Sequence, residues 1–226
     1  MKCDLHIHTY YSYDSDSSPK QIVDTAIQKG IDCLAITDHN EIKGAREAEE
    51  YAKGKPILII PGIEVKSREG DILGLNIKEK IPGGLSAQET IKMIKGKGGL
   101  AIIAHPFGMF CSFKGDLYSL IEYIDGMEVL NGSLSMFENK KALDFATKNS
   151  LVFTAGSDAH SPEFIGRVYI EIPGKNLSVK DVLKAIRGKK SVLKGREYFF
   201  LERIKDHIKR NIIKIRYYVA TKKRKL

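Results

Sequence analysis

The sequence predicts an α/β barrel of about seven strand–helix units that ends in a basic helical extension. Three observations lead there. Apolar runs of strand length alternate with segments of helical period, most histidines fall where those runs end, and positive charge is concentrated in the C-terminal quarter. The 226 residues can bury the core of one large domain, and a barrel fits that length as well as two small domains do. Residues 1–188 read as the barrel and 189–226 as the extension.

KCDLHIH is the first strand. SPKQIVDTAIQKG follows as a helix: Ser18 caps it, Pro19 takes its first position, Ile22, Val23, Ala26 and Ile27 share one face, and Gly30 stops it. DCLAITDH and EIKGAREAEEYAKG make a second unit, and PILIIPGIEVKS is a third strand trailed by a short extra one, GDILGLNI. SAQETIKMIKGKG, GLAIIAHP, DLYSLIEYI, DGMEVLN, SMFENKKALDFATKN and SLVFTAGSDAH keep the alternation, which RVYIEI and SVKDVLKAIRG close. Strand–helix alternation throughout argues for a parallel sheet, and about seven repeats for a barrel. From Tyr198 to Val219, Leu201, Ile204, Ile208, Ile212, Ile215 and Val219 recur at steps of three and four, which predicts an amphipathic helix before a frayed TKKRKL end.

Composition excludes several classes. Hydrophobic residues make up 42% and charged residues 29%, with no apolar run near 18 residues and no signal segment, so a cytoplasmic protein without a membrane span is expected. Cys3, Cys33 and Cys111 form no CxxC pair and read as core filler rather than disulfides or a thiolate zinc site. Residues 175–226 hold 18 Lys+Arg against 4 Asp+Glu, whereas residues 1–174 hold 19 against 24. Such asymmetry points to an anionic partner, nucleic acid among them, or to a solvated basic face.

Side chains two apart on a strand point the same way, so His6 and His8 project together. His39, His105 and His160 also end predicted strands, as do Asp38, Glu64 and Asp158. In a parallel barrel those ends share the face where active sites are built. Imidazoles and carboxylates gathered there would hold two or three divalent ions, with zinc, manganese and iron suited to the donor set. Such a cluster serves phosphoester hydrolysis, by polarising phosphoryl oxygen and lowering the pKa of water. Neither a Ser/His/Asp order nor a phosphate-cradling P-loop competes with this reading.

HxH on the first strand, TDH on the second, a glutamate closing the third, HP on the fourth and SDAH near the end resemble the PHP (polymerase and histidinol phosphatase) superfamily over about residues 3–172. The resemblance implies a distorted seven-stranded TIM-like barrel and a metal-dependent phosphoesterase with up to three ions. It implies that His6, His8, Glu64 and Asp158 hold a first metal, with Glu64, His8 and Asp158 the catalytic core. Glu64 and His105 would hold a second, and His39 and His160 a third with a first-loop acid, Asp14 in preference to Asp16. Asp38 would orient a ligand from behind. Relatives often carry histidine where Asp71 stands, a change that would favour manganese or magnesium over zinc. Arg167 would clamp a substrate phosphate or simply lead a strand, and Asn131 faces the same mouth as a substrate contact. Phe107, Phe110 and Phe113 would stack a base or cap the barrel.

The expected reaction is hydrolysis of a nucleotide, a short oligonucleotide or a small phosphorylated metabolite by metal-activated hydroxide. One alternative is a nucleic-acid-binding subunit using the basic tail on a barrel scaffold, against which stands the nearly complete ligand set. Another is an amidohydrolase, against which stand Glu64 at the bridging position and the absence of a lysine suited to carbamylation.

Overall fold

Four serines fix where four helices begin. The hydroxyls of Ser18, Ser86, Ser135 and Ser178 each accept from a backbone N–H in the first turn, and Glu89, Glu138 and Asp181 reach back to close capping boxes on the last three. In the computed structural model, which describes residues 1–109 and 111–223, these helices are α1 (Pro19–Gln28), α3 (Ala87–Gly96), α4 (Met136–Lys148) and α5 (Val179–Arg187). α2 (Lys43–Tyr51) and α6 (Phe200–Lys223) complete the helical set. The strands are β1 (Lys2–Ile7), β2 (Cys33–Ile36), β3 (Leu58–Lys66), β4 (Asp71–Leu75), β5 (Leu100–Ile103), β6 (Gly126–Asn131), β7 (Phe153–Gly156), β8 (Val168–Glu171) and β9 (Val192–Gly195).

The sheet corrects two expectations. It has nine strands rather than seven, in the order β7-β6-β5-β4-β3-β2-β1-β8-β9, and it is mixed. β4 lies antiparallel between β3 and β5, and β8 and β9 add antiparallel strands beside the start of β1. The tight turn at residues 67–70 explains the first reversal, since parallel neighbours need a long crossover. β9, a short and largely exposed strand, carried no strong apolar pattern. It extends the sheet beyond Gly188, so the hydrogen-bonded barrel reaches into the segment expected as an appendage.

The sheet nearly closes because β1 has two neighbours on one edge. Its start pairs with β8, while farther along Asp158 N–H donates to His6 O (2.8 Å) and His8 N–H to Ala159 O (3.0 Å). Alternate side chains fill the interior: Cys3, Leu5, Cys33, Ala35, Ile60, Leu73, Leu75, Leu100, Ile102 and Ala155, plugged by Val182, Leu183 and Ile186 of α5. A register shift between Asp4 and Ile7 changes which residues of β1 face inward. Leu5 belongs to the interior, Ile7 to the outer layer under α1, and His6 and His8 turn in.

The amphipathic tail helix does form, but most of its isoleucine stripe stays exposed. Ile204, Ile208, Ile212 and Ile215 are 41–63% exposed, while Glu202, Arg203, Lys209 and Arg210 make ion pairs with barrel residues. Tyr198 anchors the approach to α6, buried against Phe164 at 4.0 Å between ring centres with its hydroxyl donating to Ser157 O. Thr221–Lys223 continue the helix, and the rest of the TKKRKL end lies outside the described residues. Among the described residues no helix is long and apolar enough to cross a membrane.

Gly156 is required where β7 meets β1, because a Cβ there would lie 2.4 Å from His6 Cβ and 2.7 Å from His6 N. Gly156→Ala should therefore lower the unfolding free energy by about 1–3 kcal/mol in urea titration and displace the His6 ring.

Candidate metal centre

Above the apolar interior lies a layer of imidazoles and carboxylates. Glu64 ends the inward series of β3 that runs through Ile60 and Gly62, and it sits at the centre of that layer. Its Oε1 lies 2.9 Å from His105 Nε2, and its Oε2 lies 2.8 Å from His39 Nδ1, 3.4 Å from His8 Nε2 and 3.5 Å from His6 Nε2. Asp158 Oδ1 is 3.3 Å from His8 Nε2, 3.6 Å from His6 Nε2 and 3.5 Å from His160 Nδ1. Asp14 comes from the first loop and reaches His160 Nε2 at 3.3 Å and His39 Nε2 at 3.4 Å. Asp16 instead pairs with Lys209 at the surface (3.3 Å). Asp71, first residue of β4, lines the same cleft with its Oδ1 buried.

Three of these rings are held with one nitrogen committed. His6 Nδ1 donates to Glu128 Oε1 (3.0 Å), His8 Nδ1 to Ser12 Oγ (3.1 Å) and His160 Nδ1 to Asp158 O (2.9 Å). Each ring thereby turns its Nε2 to the centre. Ser12 passes the constraint on by donating to Asp38 Oδ1 (2.9 Å), which also accepts from Thr9 N–H. Asp38 thus orients a ring through Ser12. Glu128 additionally accepts from His105 N–H (2.9 Å) and Asn131 Nδ2 (2.9 Å). His105 and Asp158 take left-handed backbone angles, φ +27° and +54°, strain of the kind stored at functional sites.

The electrostatics reinforce this placement. Burial alone would raise the Glu64 and Asp158 pKa values, yet the His39 and His6 rings beside Glu64, and His6 and His8 beside Asp158, hold both carboxylates well below their ordinary range. Burial would keep His39 neutral, but Glu64 and Asp14 push it up to about 10. His8 moves the other way, lowered by burial and by neighbouring His160 and His39.

Two expected substrate contacts lie elsewhere. Arg167 forms an ion pair with Glu202 and stacks on Phe199, tying α6 to the barrel rather than facing the cleft. Asn131 is fully buried, its Nδ2 donating to Glu128 Oε2 and its Oδ1 accepting from Ser133 N–H (both 2.9 Å). Phe107 and Phe113 pack on the core between β4 and α4, which makes them caps, and Phe110 lies outside the described residues. Cys3 and Cys33 are core residues as expected, but Cys111 lines the cleft.

Sequence reasoning missed Ser12, Glu128, Ser133 and Arg210. Glu128 alone had a signal, a carboxylate on the inward register of DGMEVLN. Ser133 Oγ donates to Asp158 Oδ2 (2.7 Å). Arg210 of α6 approaches Asp14 (3.6 Å) and Asp158 (3.9 Å). The cleft holds about 540 Å³, with the imidazole–carboxylate layer as its floor and α6 as one wall.

Metal ions fit this layer. The buried atoms His6 Nε2, His8 Nε2, His160 Nε2, Asp14 Oδ1 and Asp71 Oδ1 have no hydrogen-bond partner, a costly state that cations would relieve. Ligand atoms of three trios lie within 4.8 Å of one another: His6, His8 and Asp158; His6, Glu64 and His105; His8, His39 and His160. The donor set, imidazole and carboxylate without thiolate, suits divalent first-row metals.

Comparison with known proteins agrees. Residues 137–191 match the PHP-associated family model PHP_C. An uncharacterised protein of Methanocaldococcus jannaschii is 43% identical over 141 residues, covering 58% of this chain and 82% of that one. A 5'-3' exoribonuclease of Haemophilus influenzae is 35% identical over 105 residues, 45% of this chain and 38% of the enzyme. A two-domain Bacteroides vulgatus structure containing a predicted PHP-like metal-dependent phosphoesterase superposes with a TM-score of 0.74 at 20% identity, over 87% of this chain and 65% of that one. The chain belongs to the PHP superfamily.

Proposed function

We propose that this protein hydrolyses a phosphate ester of a nucleotide or short oligonucleotide at the layer centred on Glu64. The observation that carries the reading is the set of buried, unpartnered imidazole and carboxylate atoms gathered on the floor of an open cleft. His6, His8, Glu64 and Asp158 would hold one ion, Glu64 with His105 and Asp71 a second, and His39, His160 and Asp14 a third. Bound divalent ions would polarise the phosphoryl group, lower the pKa of the attacking water and offset charge on the leaving oxygen. Manganese, iron, zinc and magnesium are the candidates, with Asp71 favouring the harder ions.

The chain's own residues prepare this chemistry. Ser12, Glu128 and the Asp158 carbonyl fix three rings with their Nε2 atoms inward, so little reorientation accompanies reaction. Ser133 holds the second oxygen of Asp158. Beyond the floor, Met109, Leu134, Phe200, Ile204 and Ile208 give the cleft an apolar side suited to an organic group larger than phosphate, such as a nucleoside. The exoribonuclease activity named for the Haemophilus relative supports a nucleotide-containing substrate. Residues up to Gly195 form the catalytic barrel in this reading, and α6 belongs to the cleft as well as to the basic extension.

Metal-loaded protein is expected to cleave an aryl phosphate ester or a 5'-phosphorylated short RNA, with Glu64→Gln and His8→Ala lowering turnover on the order of 100-fold or more. Wild-type rates in both variants would reject the site. In elemental analysis and metal titration, Asp14→Asn should weaken binding of one ion by roughly tenfold or more while Asp16→Asn leaves all stoichiometries intact. The reverse pattern would move the first-loop ligand to Asp16.

A further inference from the structure

We propose that Arg210, carried into the cleft by α6, is the residue that grips the phosphate of the substrate. The assignment rests on the phosphoesterase reading above and adds to it an anion-binding group from outside the ligand-bearing strand ends.

The orientation of α6 is the first observation. The helix carries eight Lys and Arg against two acids, together with a stripe of isoleucines. Burying apolar surface is the usual way to dock such a helix. Here Ile208, Ile212 and Ile215 stay 46–63% exposed, and the face turned to the barrel carries Arg203, Asp206, Lys209 and Arg210. The helix therefore brings charge to the cleft at the expense of apolar burial.

Its attachment is the second. Glu202 pairs with Arg167, Arg203 donates to Ser133 O (3.1 Å) and Glu138 (3.3 Å), and Lys209 donates to Ser161 Oγ (2.8 Å). These contacts flank Arg210 on the helix and hold its position over the site. Ser133 itself bonds Asp158, so the helix is connected to the ligand layer as well as to the rim.

The guanidinium itself is the third. It approaches Asp14 Oδ2 at 3.6 Å, Asp206 Oδ2 at 3.8 Å and Asp158 Oδ2 at 3.9 Å, all beyond hydrogen-bond length. Arg210 is thus attracted to the site by three acids without being locked to any one of them. Asp158 turns its other oxygen to the imidazoles, and Asp14 faces His160 with Oδ1 while its Oδ2 is shared between Arg210 and His39 (3.4 Å). With these acids turned to cations, the forked donors of Arg210 face the floor of the cleft, where a tetrahedral oxyanion matches their geometry. Lys66 and Lys214 line the same cleft and add to its positive field.

The alternative is that Arg210 only neutralises Asp14 and Asp158. Phosphate binding separates the two. Manganese-loaded wild type, Arg210→Gln, Arg210→Lys and the control Arg216→Gln, which removes an exposed charge from the same helix, would be titrated with inorganic phosphate by calorimetry. The same proteins would be assayed on an aryl phosphate ester, with metal content and Tm recorded. Arg210→Gln should weaken phosphate binding and raise KM roughly ten- to hundredfold at unchanged metal content, Arg210→Lys should recover part of the loss, and Arg216→Gln should resemble wild type.

Unchanged phosphate affinity and KM in Arg210→Gln would overturn the assignment while leaving the hydrolase reading intact. Equal losses in Arg216→Gln, or loss of metal in Arg210→Gln, would overturn it too, because Arg210 would then act through the general field or through the ligand carboxylates. Phosphate binding that depends on Arg210 in a protein that cleaves no phosphate ester would uphold the anion site and refute hydrolysis.

Discussion

The structure turns on one electrostatic constraint: a carboxylate, Glu64, lies buried among four imidazoles above an apolar barrel interior. A charge in that position is tolerable only if opposite charge or directed hydrogen bonds surround it. The protein meets the requirement with His6, His8, His39 and His105 within 3.5 Å of the two oxygens. Those rings need restraint of their own, and Ser12, Asp38 and Glu128 provide it from behind. The register shift in β1, the left-handed turns at His105 and Asp158, and the glycine where β7 touches β1 are the local adjustments that let these groups meet.

The C-terminal helix is part of this arrangement. A segment that looks in sequence like a basic appendage walls the cleft and brings a guanidinium within 4 Å of the Asp14 and Asp158 carboxylates. Its pattern of exposure departs from that of an ordinary docked amphipathic helix, because charged side chains find partners on the barrel while Ile212 and Ile215 stay exposed. Removal of the helix would therefore take away one wall of the cleft.

How much of this was legible depended on whether the signal was local. His6 and His8 stood out because strand periodicity puts alternate residues on one face, and His39, Glu64, His105, Asp158 and His160 because each closes a recognisable strand. Asp14 lies among the imidazoles whereas Asp16 meets Lys209 at the surface, a difference that loop spacing hardly signals. Arg167 and Asn131 misled because position near a strand end says nothing about whether neighbours already satisfy a side chain; Glu202 and Glu128 do so here. The nine-stranded mixed sheet was hidden because a short strand reads the same in either direction, and β9 is too exposed to leave an apolar pattern. Arg210 carried no signal at all. A helix of mixed basic and apolar residues does not state which face it will turn inward.

The reversed direction of β4 has a consequence for how this cleft can change shape. Most of its rim is made of segments that leave a strand and wander before the next helix, and such segments can lengthen freely. Asp71 instead opens its strand, directly across from Lys66 and joined to it by a turn closed by Ser67 N–H donating to Gly70 O (3.0 Å). Gly70 is pressed on Phe113 so closely that an added Cβ would lie 2.7 Å from the ring. An extra residue in that turn would shift the pairing and swing Asp71 to the opposite side of the sheet. Adaptation of this enzyme to bulkier or smaller molecules must therefore proceed through the remaining perimeter, with this corner acting as a fixed gauge.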